Sequence, residues 1–369
     1  MARKSRLTTA EVIRNAAEIF HKVRWGFGIV VCPYCGSVHI KSYDGYKYKC
    51  NSCKNRFSDK TRTVMHGSKL PVSVWMQAIY EMFTDNFISS NVLAVKLGIN
   101  QKSAWLIQTK LRFCMYQEKV QLSGIVAQDE MYIGGCLTNF HYRRKWDLLR
   151  KGKYVGIEDK RYSKEALFRL NAALKQPVFG MNDGNNIVLV AMPNRLKKQY
   201  LWKVNRKHVV KGSTTVSDES ALYNEWEKHT GCRLYTNNHH NNQYTTKEGL
   251  TSNRIENTFS WYKRGFGGRI THCKYHQYYL NEFTFRYNTR SMTTEERFNT
   301  LISKTIGKQV TYKQIREYDV ESLFISKAKK AEMANKEKAC MDAIKLMFDA
   351  HLAIKVEHNG RIYTPKDFE

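Results

Sequence analysis

The chain contains no run of about 18 apolar residues, the length a helix needs to cross a bilayer. Its opening stretch, MARKSRLTTAEVIRNAAEIF, has neither a continuous apolar core nor a small-residue cleavage site, so a soluble, cytoplasmic protein with no membrane partner is expected. Acid is also scarce: 33 Asp and Glu stand against 61 Lys and Arg, a formal charge of +28 over 369 residues. With 12% aromatic residues, that imbalance argues against a typical metabolic enzyme and for a polyanionic partner, most simply nucleic acid. A membrane-surface binder would need a basic amphipathic anchor, which is missing, and ribosome-type basic proteins are usually shorter and poorer in aromatics. The nine cysteines are an odd number and four are tightly grouped, which fits a metal site in a reducing compartment better than a disulfide framework.

Thr8-Thr9-Ala10-Glu11 reads as a capping box that opens a short helix with Val12, Ala16, Ile19 and Phe20 on its apolar side. Beyond it, Cys32, Cys35, Cys50 and Cys53 form C-x2-C-x14-C-x2-C. The two short turns, CPYC and CNSC, can present four thiolates to one tetrahedral Zn2+, whereas a redox CxxC needs no second pair. Between them VHIKSYDGYKYK alternates around Asp44-Gly45, a hairpin turn signal, completing a zinc ribbon. Residues 1–70 carry 14 Lys and Arg and 4 acids, a net of +10, which favours contact with DNA or RNA over purely protein docking.

PVSVWMQAIYEMF then reads as a helix with Pro71 in its first turn and Trp75, Ile79, Met82 and Phe83 on one side. In ISSNVLAVKLGINQKSAWLIQTKLRFCM, Ser89 or Ser90 caps a helix of Val92, Leu93, Val95 and Leu97, Gly98 breaks it, and Asn100 or Gln101 starts the next. This is the helix-turn-helix pattern, with Gln101, Lys102, Ser103 and Trp105 near the start of a recognition helix. A helical hairpin that only packs would have the same pattern.

At Ser123 the pattern turns to a strand, GIVAQDEMYIGG. Asp129 lies inside it, where an acid must pair, bind a metal or point into a cleft. Neighbouring Glu130 falls on the opposite side, so one of the two is expected to face solvent. Residues 136–176 hold 11 Lys and Arg against 4 acids and read as an inserted segment, partly helical at SKEALFRLNAAL. Arg143, Arg144 and Lys145 would belong to a nucleic-acid arm there, unless the segment is only a solvated loop. QPVFGMND and NNIVLVAMP are strands joined at Asp183-Gly184, KKQYLWKVNRKHV a helix, and STTVSDES a strand with Asp218 at its end. LTSNRIENTFSWYKRG is an amphipathic helix with Ile255, Phe259 and Tyr262 as its buried stripe. Glu256 sits beside that stripe, Asn253 and Lys263 share its face, and Arg264 follows. Taken alone, Glu256 could equally form a surface ion pair with Lys263 or Arg264. Asp129, Asp218 and Glu256 can nevertheless converge, and three carboxylates together are unstable unless they hold divalent cations. KYHQYYLNEFTFRYNTRS reads as a helix whose tyrosines and phenylalanines pack rather than stack bases, and residues 326–355 as a long helix that covers the core or makes a dimer contact.

RWGFGIVVCPYCGS, KYKCNSCKNRFSDKTRTVMHGSKLPVSVW, QDEMYIGG, PVFGM, VSDESALY, SNRIENTFSWYKRGFGG and YLNEFTFRYNTR follow in order over residues 24–290. Together they resemble the zinc-ribbon DDE transposases of bacterial insertion sequences. That resemblance implies an α/β fold: an RNase H-like mixed sheet with flanking helices, preceded by a zinc ribbon and a helix-turn-helix and followed by a helical C-terminal tail. The implied boundaries are 1–70, 71–120, 121–310 with a basic insertion at 136–176, and 311–369. Carried over, Asp129, Asp218 and Glu256 are the catalytic acids and ligands of Mg2+ or Mn2+, accompanied by Asn253. Cys32, Cys35, Cys50 and Cys53 hold structural Zn2+. Lys263 fits the family's Glu-x6-Lys spacing, and His239 in NNHHNN resembles an Asn-His pair. The implied activity is cleavage of the element's ends to expose 3′-OH groups and their joining to target DNA. Double-stranded DNA, as terminal inverted repeats and target, is the implied partner, with at least a homodimer bound to it. The 136–176 segment and the tail beyond about residue 312 are longer than the family pattern. A catalytically silent, transposase-derived DNA-binding regulator is the main alternative, and a nuclease or RNA-processing enzyme on the same core is a third.

Overall fold

A computed structural model describes residues 9–26, 28–84, 87–134, 175–193, 196–237, 250–266 and 275–318, with scattered positions of the tail. Arg143, Arg144, Lys145, the SKEALFRLNAAL helix, His239 and almost all of the 326–355 helix lie outside these described residues. The chain forms two compact units, one of Met1–Met131, Val178–Ala191 and Lys197–Tyr318, the other of Tyr132–Pro177, Met192–Leu196 and Asp319–Glu369.

The first unit opens with two helices where the sequence pattern implies one: α1 (Thr9–Arg14) and α2 (Ala16–Trp25), separated at Asn15. Val12, Ala16 and Phe20 are buried as their spacing requires. The ribbon is a three-stranded antiparallel sheet of β1 (Ile40–Tyr43), β2 (Lys47–Cys50) and β3 (Arg56–Ser58), in that order. Gly45 (φ 70°) and Tyr46 (φ 58°) make the β1–β2 turn in the left-handed region, where a glycine costs least. Tyr48 and Phe57 form a small core with Cys32 and Cys50. Asp59 fastens the ribbon to α2: its buried carboxylate accepts from His21 Nδ1 at 2.9 Å and Trp25 Nε1 at 2.7 Å.

Three helices follow: α3 (Val72–Thr84), α4 (Ser90–Leu97) and α5 (Gln101–Cys114). Ser89 Oγ accepts from Val92 N, left-handed Gly98 ends α4, and Asn100 Oδ1 accepts from Ser103 N at 2.8 Å to start α5. Leu93, Ala94 and Leu97 face inward, while Val92 and Val95 are exposed.

The central sheet has the order β6-β5-β4-β7-β8. Its strands are β4 (Ile125–Ile133), β5 (Gln176–Asn182), β6 (Ile187–Ala191), β7 (Thr214–Asp218) and β8 (Arg233–Asn237). The hairpin partners β5 and β6 are antiparallel, whereas β4, β7 and β8 run parallel, so the sheet is mixed. The crossover from β6 to β7 runs through α6 (Lys198–His208), and that from β7 to β8 through a 3-10 turn (Ala221–Tyr223) and α7 (Trp226–Thr230). Then come α8 (Asn253–Phe266), α9 (His276–Asn288), α10 (Thr294–Thr305) and α11 (Tyr312–Arg316). Tyr278, Phe283 and Phe285 are buried in α9, which makes it a packing helix.

A single helical core joins α1–α5 to α9–α11, including Met76, Ile79, Leu111, Phe285 and Leu301. Within it Glu282 of α9, fully buried, takes Arg112 Nε of α5 at 2.7 Å and Arg286 at 3.0 Å. Burial alone would raise that carboxyl, but the two guanidinium groups hold it below the ordinary value. In the second unit the described residues include an antiparallel hairpin of β9 (Val356–His358) and β10 (Arg361–Tyr363).

Candidate active site

Two features of the first unit gather reactive side chains: the four cysteines of the ribbon and the acids at one end of the central sheet. In the ribbon, Cys32 Sγ lies 3.6 Å from Cys53 Sγ, Cys35 Sγ lies 3.6 Å from Cys50 Sγ, and all four sulfurs fall within 4.8 Å of one another. Zn–S bonds of about 2.3 Å in a tetrahedron require sulfur separations of about 3.8 Å, so the quartet matches zinc in both ligand type and size. The backbone N–H of Cys53 points at Cys50 Sγ at 3.5 Å and, as the largest influence, lowers that thiol to about 6, which favours the thiolate a metal binds. Among the described residues this is the one group of three or more Cys, His, Asp or Glu with ligand atoms this close.

At the sheet, β4 and β7 are parallel neighbours with Ala127 opposite Val216. The two-residue period of a strand then carries Asp129 and Asp218 to the same face, Asp218 at the carboxyl end of β7 and Asp129 midway along β4, two residues past Ala127. Glu256 lies in the first turn of α8, at the positive end of its dipole, with its Oε1 accepting from Ser252 Oγ at 2.9 Å. Asp129 feels its surroundings: burial first, then the charge of Asp218, with smaller parts from Glu130 and Glu256, pushes its carboxyl up to about 8. The N–H of Glu130, bonded to Asp129 Oδ1 at 2.7 Å, opposes that rise. A shallow cleft of about 340 Å³, bordered by Glu219, Tyr223, Asn224 and Thr236, lies between the segment after β7 and strand β8, and Asp218 is not part of its lining.

Close packing sets the position of Glu256. Ile255, Phe259 and Tyr262 are buried on the inner side of α8, as the amphipathic pattern requires, while Asn253, Glu256, Lys263 and Arg264 are exposed. A Cβ on Gly180 of β5 would come within 2.5 Å of the Phe259 ring and 2.8 Å of Ile255, so only a glycine lets α8 lie this close to the sheet. Asn182, buried at the end of β5, donates to Thr258 Oγ1 at 2.9 Å and to Arg254 O at 3.3 Å, which fixes the first turns of the same helix.

Glu130 corrects one sequence expectation. Both Asp129 and Glu130 are half-buried, because Glu130 turns toward the far side and accepts from the buried Tyr223 hydroxyl at 2.6 Å. Burial pushes its carboxyl up to about 7, and the Tyr223 bond works against the rise. Residues 130 and 223 are remote in sequence, so no local pattern could pair them; Gly180, by contrast, had a readable signal as a glycine inside an apolar strand.

The remaining expected residues lie elsewhere. Gln101 and Lys102 are exposed in the first turn of α5 and Ser103 is half-buried, with Gln101 Nε2 donating to Ser90 Oγ at 2.8 Å. Among the described residues no helix is long and apolar enough to cross a membrane.

Comparison with known proteins adds to this geometry. Residues 121–288 match the ISXO2-like transposase domain and residues 14–56 the transposase zinc-ribbon domain, together more than half of the chain. An "uncharacterized protein in transposable element ISH50" of Halobacterium salinarum is 27% identical over 154 residues, which are 40% of this chain and 52% of that protein. The chain therefore spans about half the length of that curated relative. The first matched segment contains Asp129, Asp218 and Glu256, and the second contains all four ribbon cysteines. Residues 121–288 are thus an ISXO2-like transposase domain of the insertion-sequence type, preceded in the same chain by a transposase zinc ribbon.

Proposed function

We propose that this protein is a DNA transposase that cuts the ends of a mobile element and joins the freed 3′-OH groups to target DNA. The observation that carries the reading is the pair Asp129 and Asp218 on one face of adjacent parallel strands, with Glu256 close enough to raise the Asp129 carboxyl. The order β6-β5-β4-β7-β8, with acids on the first and fourth strands of the sheet, supports an RNase H-like core spanning about residues 121–310. The region before it reads as a ribbon module over 1–70 and a helix-turn-helix over 71–120, and 311–369 as an extension.

Asp129, Asp218 and Glu256 offer the hard oxygen donors that Mg2+ and Mn2+ prefer, and would hold them. Bound there, such ions would make a water nucleophilic near neutral pH and stabilise the attacking and leaving oxygens of a phosphodiester. The side chains set the conditions. Asp129 must give up its proton, so activity requires a pH or a positive charge that overcomes its raised affinity. Ser252 holds one oxygen of Glu256, and Gly180 and Asn182 fix the helix that carries it. Asn253 neighbours the acid and tunes it, while Lys263, two turns beyond on the exposed side, and Arg264 meet phosphate near the scissile bond. In the reaction, water attacks the phosphodiester at the element end and releases a 3′-OH, which then attacks a phosphodiester of the target and displaces a second 3′-oxygen. Gln101, Lys102 and Ser103 at the start of α5 meet the DNA major groove, and the 136–176 segment with Arg143, Arg144 and Lys145 adds backbone contacts. The protein acts in the cytoplasm on double-stranded DNA, as terminal inverted repeats and target, with at least two copies bridging paired ends.

The test is a nicking and strand-transfer assay on duplexes carrying the inverted repeats that flank the coding region. Asp129→Asn, Asp218→Asn and Glu256→Gln should each keep DNA binding and lose Mg2+-dependent nicking. Full nicking by all three variants would sink the assignment of the acids. A wild-type chain that binds the repeats but never nicks them is instead a silent DNA-binding regulator.

A further inference from the structure

Helix α8 carries more than an acid. At about 100° per residue, Glu256 and Lys263 run along one border of its buried stripe, Trp261 lies on the opposite border, and Arg264 sits on the outward crest between them. Trp261 is 50% exposed, an uncommon position for so large an apolar side chain. Its neighbours are held in place: the Tyr287 ring lies 6.1 Å away, centroid to centroid and tilted by 36°, and the Arg290 guanidinium lies over that Tyr287 ring, 4.2 Å from its centroid. Arg290 donates to Asn185 O at 2.6 Å and Gly184 O at 3.0 Å, and the Tyr287 hydroxyl accepts from Asn182 Nδ2 at 3.4 Å. These partners belong to the β5–β6 hairpin and its turn, so the platform is built in advance and loses little freedom on binding.

The ligand follows from chemistry and charge. Lys263 and Arg264 on the same helix, in a chain of +28, draw a polyanion to this surface. Contacts to an intact duplex go mostly to phosphate and sugar and are made by cations and polar groups, whereas an exposed aromatic face finds its match in a base that has left the stack. We infer that Trp261, backed by Tyr287 and Arg290, stacks an unpaired nucleobase of the DNA strand that crosses α8. The crossing from the Glu256 border to the Trp261 border is about one helix width, ~10 Å, or at most about three nucleotides, since ~3.4 Å each is the spacing of a stacked strand and an unstacked one is longer. The stacked base therefore lies no more than about three nucleotides from the phosphate at Glu256, a position that rests on the DNA-cleaving reading above.

The experiment compares the full-length wild type with Trp261→Ala and Trp261→Phe, in buffer without divalent cations so that no strand is cut. One probe is a blunt duplex of about 20 base pairs, and the other is the same duplex with a single-stranded tail of about five nucleotides containing 2-aminopurine. Trp261→Ala should weaken binding of the tailed probe by about ten-fold, remove the quench of the 2-aminopurine, and leave the blunt probe within about two-fold. Trp261→Phe should keep most of both signals. A Trp261→Ala chain with wild-type melting that binds both probes as wild type does, or loses both equally, overturns the inference. Nicking by the wild type in Mg2+ is scored separately: tail preference without nicking keeps the platform and rejects the transposase reading, and nicking without any Trp261 dependence does the reverse.

Discussion

Replacing Asp129 with asparagine should stabilise the Mg2+-free protein at neutral pH while abolishing its chemistry. The folded chain holds the Asp129 carboxyl up to about 8, from an ordinary value of 3.8, because burial and the nearby charges of Asp218, Glu130 and Glu256 oppose ionisation. Between about pH 4 and pH 8 the unfolded chain has released this proton and the folded chain keeps it, so the folded state binds more protons and wild-type stability falls as pH rises. Each unit is worth about 1.4 kcal/mol, which amounts to about 4 kcal/mol by pH 7; allowing half for relaxation and entering water leaves about 2 kcal/mol. The amide introduced by Asp129→Asn has no proton to release in this range, and its oxygen can still accept the Glu130 N–H. Thermal unfolding from pH 4 to pH 8.5, without added divalent ions and without chelator so that the ribbon keeps zinc, reads the difference. The two curves should coincide near pH 4 and separate by about 4–8 °C at pH 7, with the variant higher. Added Mg2+ should then raise the wild type, more strongly at higher pH, and leave the variant unmoved. Parallel curves, or a wild type that outlasts the variant at pH 7, would refute the account of the acid site.

Gly180→Ala should lose nicking and about 1–3 kcal/mol of stability because its methyl meets Phe259 and Ile255; Phe259→Leu in the same chain should restore part of both, and a single variant with wild-type melting and nicking would count against the close-packing argument. Glu282→Ala leaves the Arg112 charge buried without its partner and should cost about 3–5 kcal/mol in urea unfolding, whereas removing a surface pair such as Lys22 with Glu18 should leave the urea midpoint nearly unchanged. Cys50→Ser should bring zinc below stoichiometry by elemental analysis and expose the ribbon to protease; full zinc content would exclude the four-thiolate site.

Short-range chemistry was legible before any coordinates. The CPYC and CNSC turns specify a metal by themselves, since each pair is locally constrained and the quartet needs only a hairpin to close. Ser89, Gly98 and Asn100 mark the ends of α4 and α5 because caps act within three residues. Asp183-Gly184 marks the β5–β6 turn for the same reason. The α1–α2 break at Asn15, the strand β3 and the short elements between β7 and β8 left no comparable trace, being too brief for a periodic pattern to accumulate.

By itself, then, the sequence determined the zinc ligands, the inner stripe of α8, the basic character of the surface and the order of the three acids, all properties of residue type and local spacing. Only the tertiary structure decided that Asp129 and Asp218 share a face of parallel neighbours and that Glu130 turns to Tyr223. It alone set how near Gly180 lets α8 approach the sheet, bonded Arg112 of α5 to Glu282 of α9, and placed Trp261 beside Tyr287. The reason is physical: burial and charge coupling depend on which residues from distant segments meet, and a carboxylate acquires its proton affinity from those neighbours rather than from its own place in the chain.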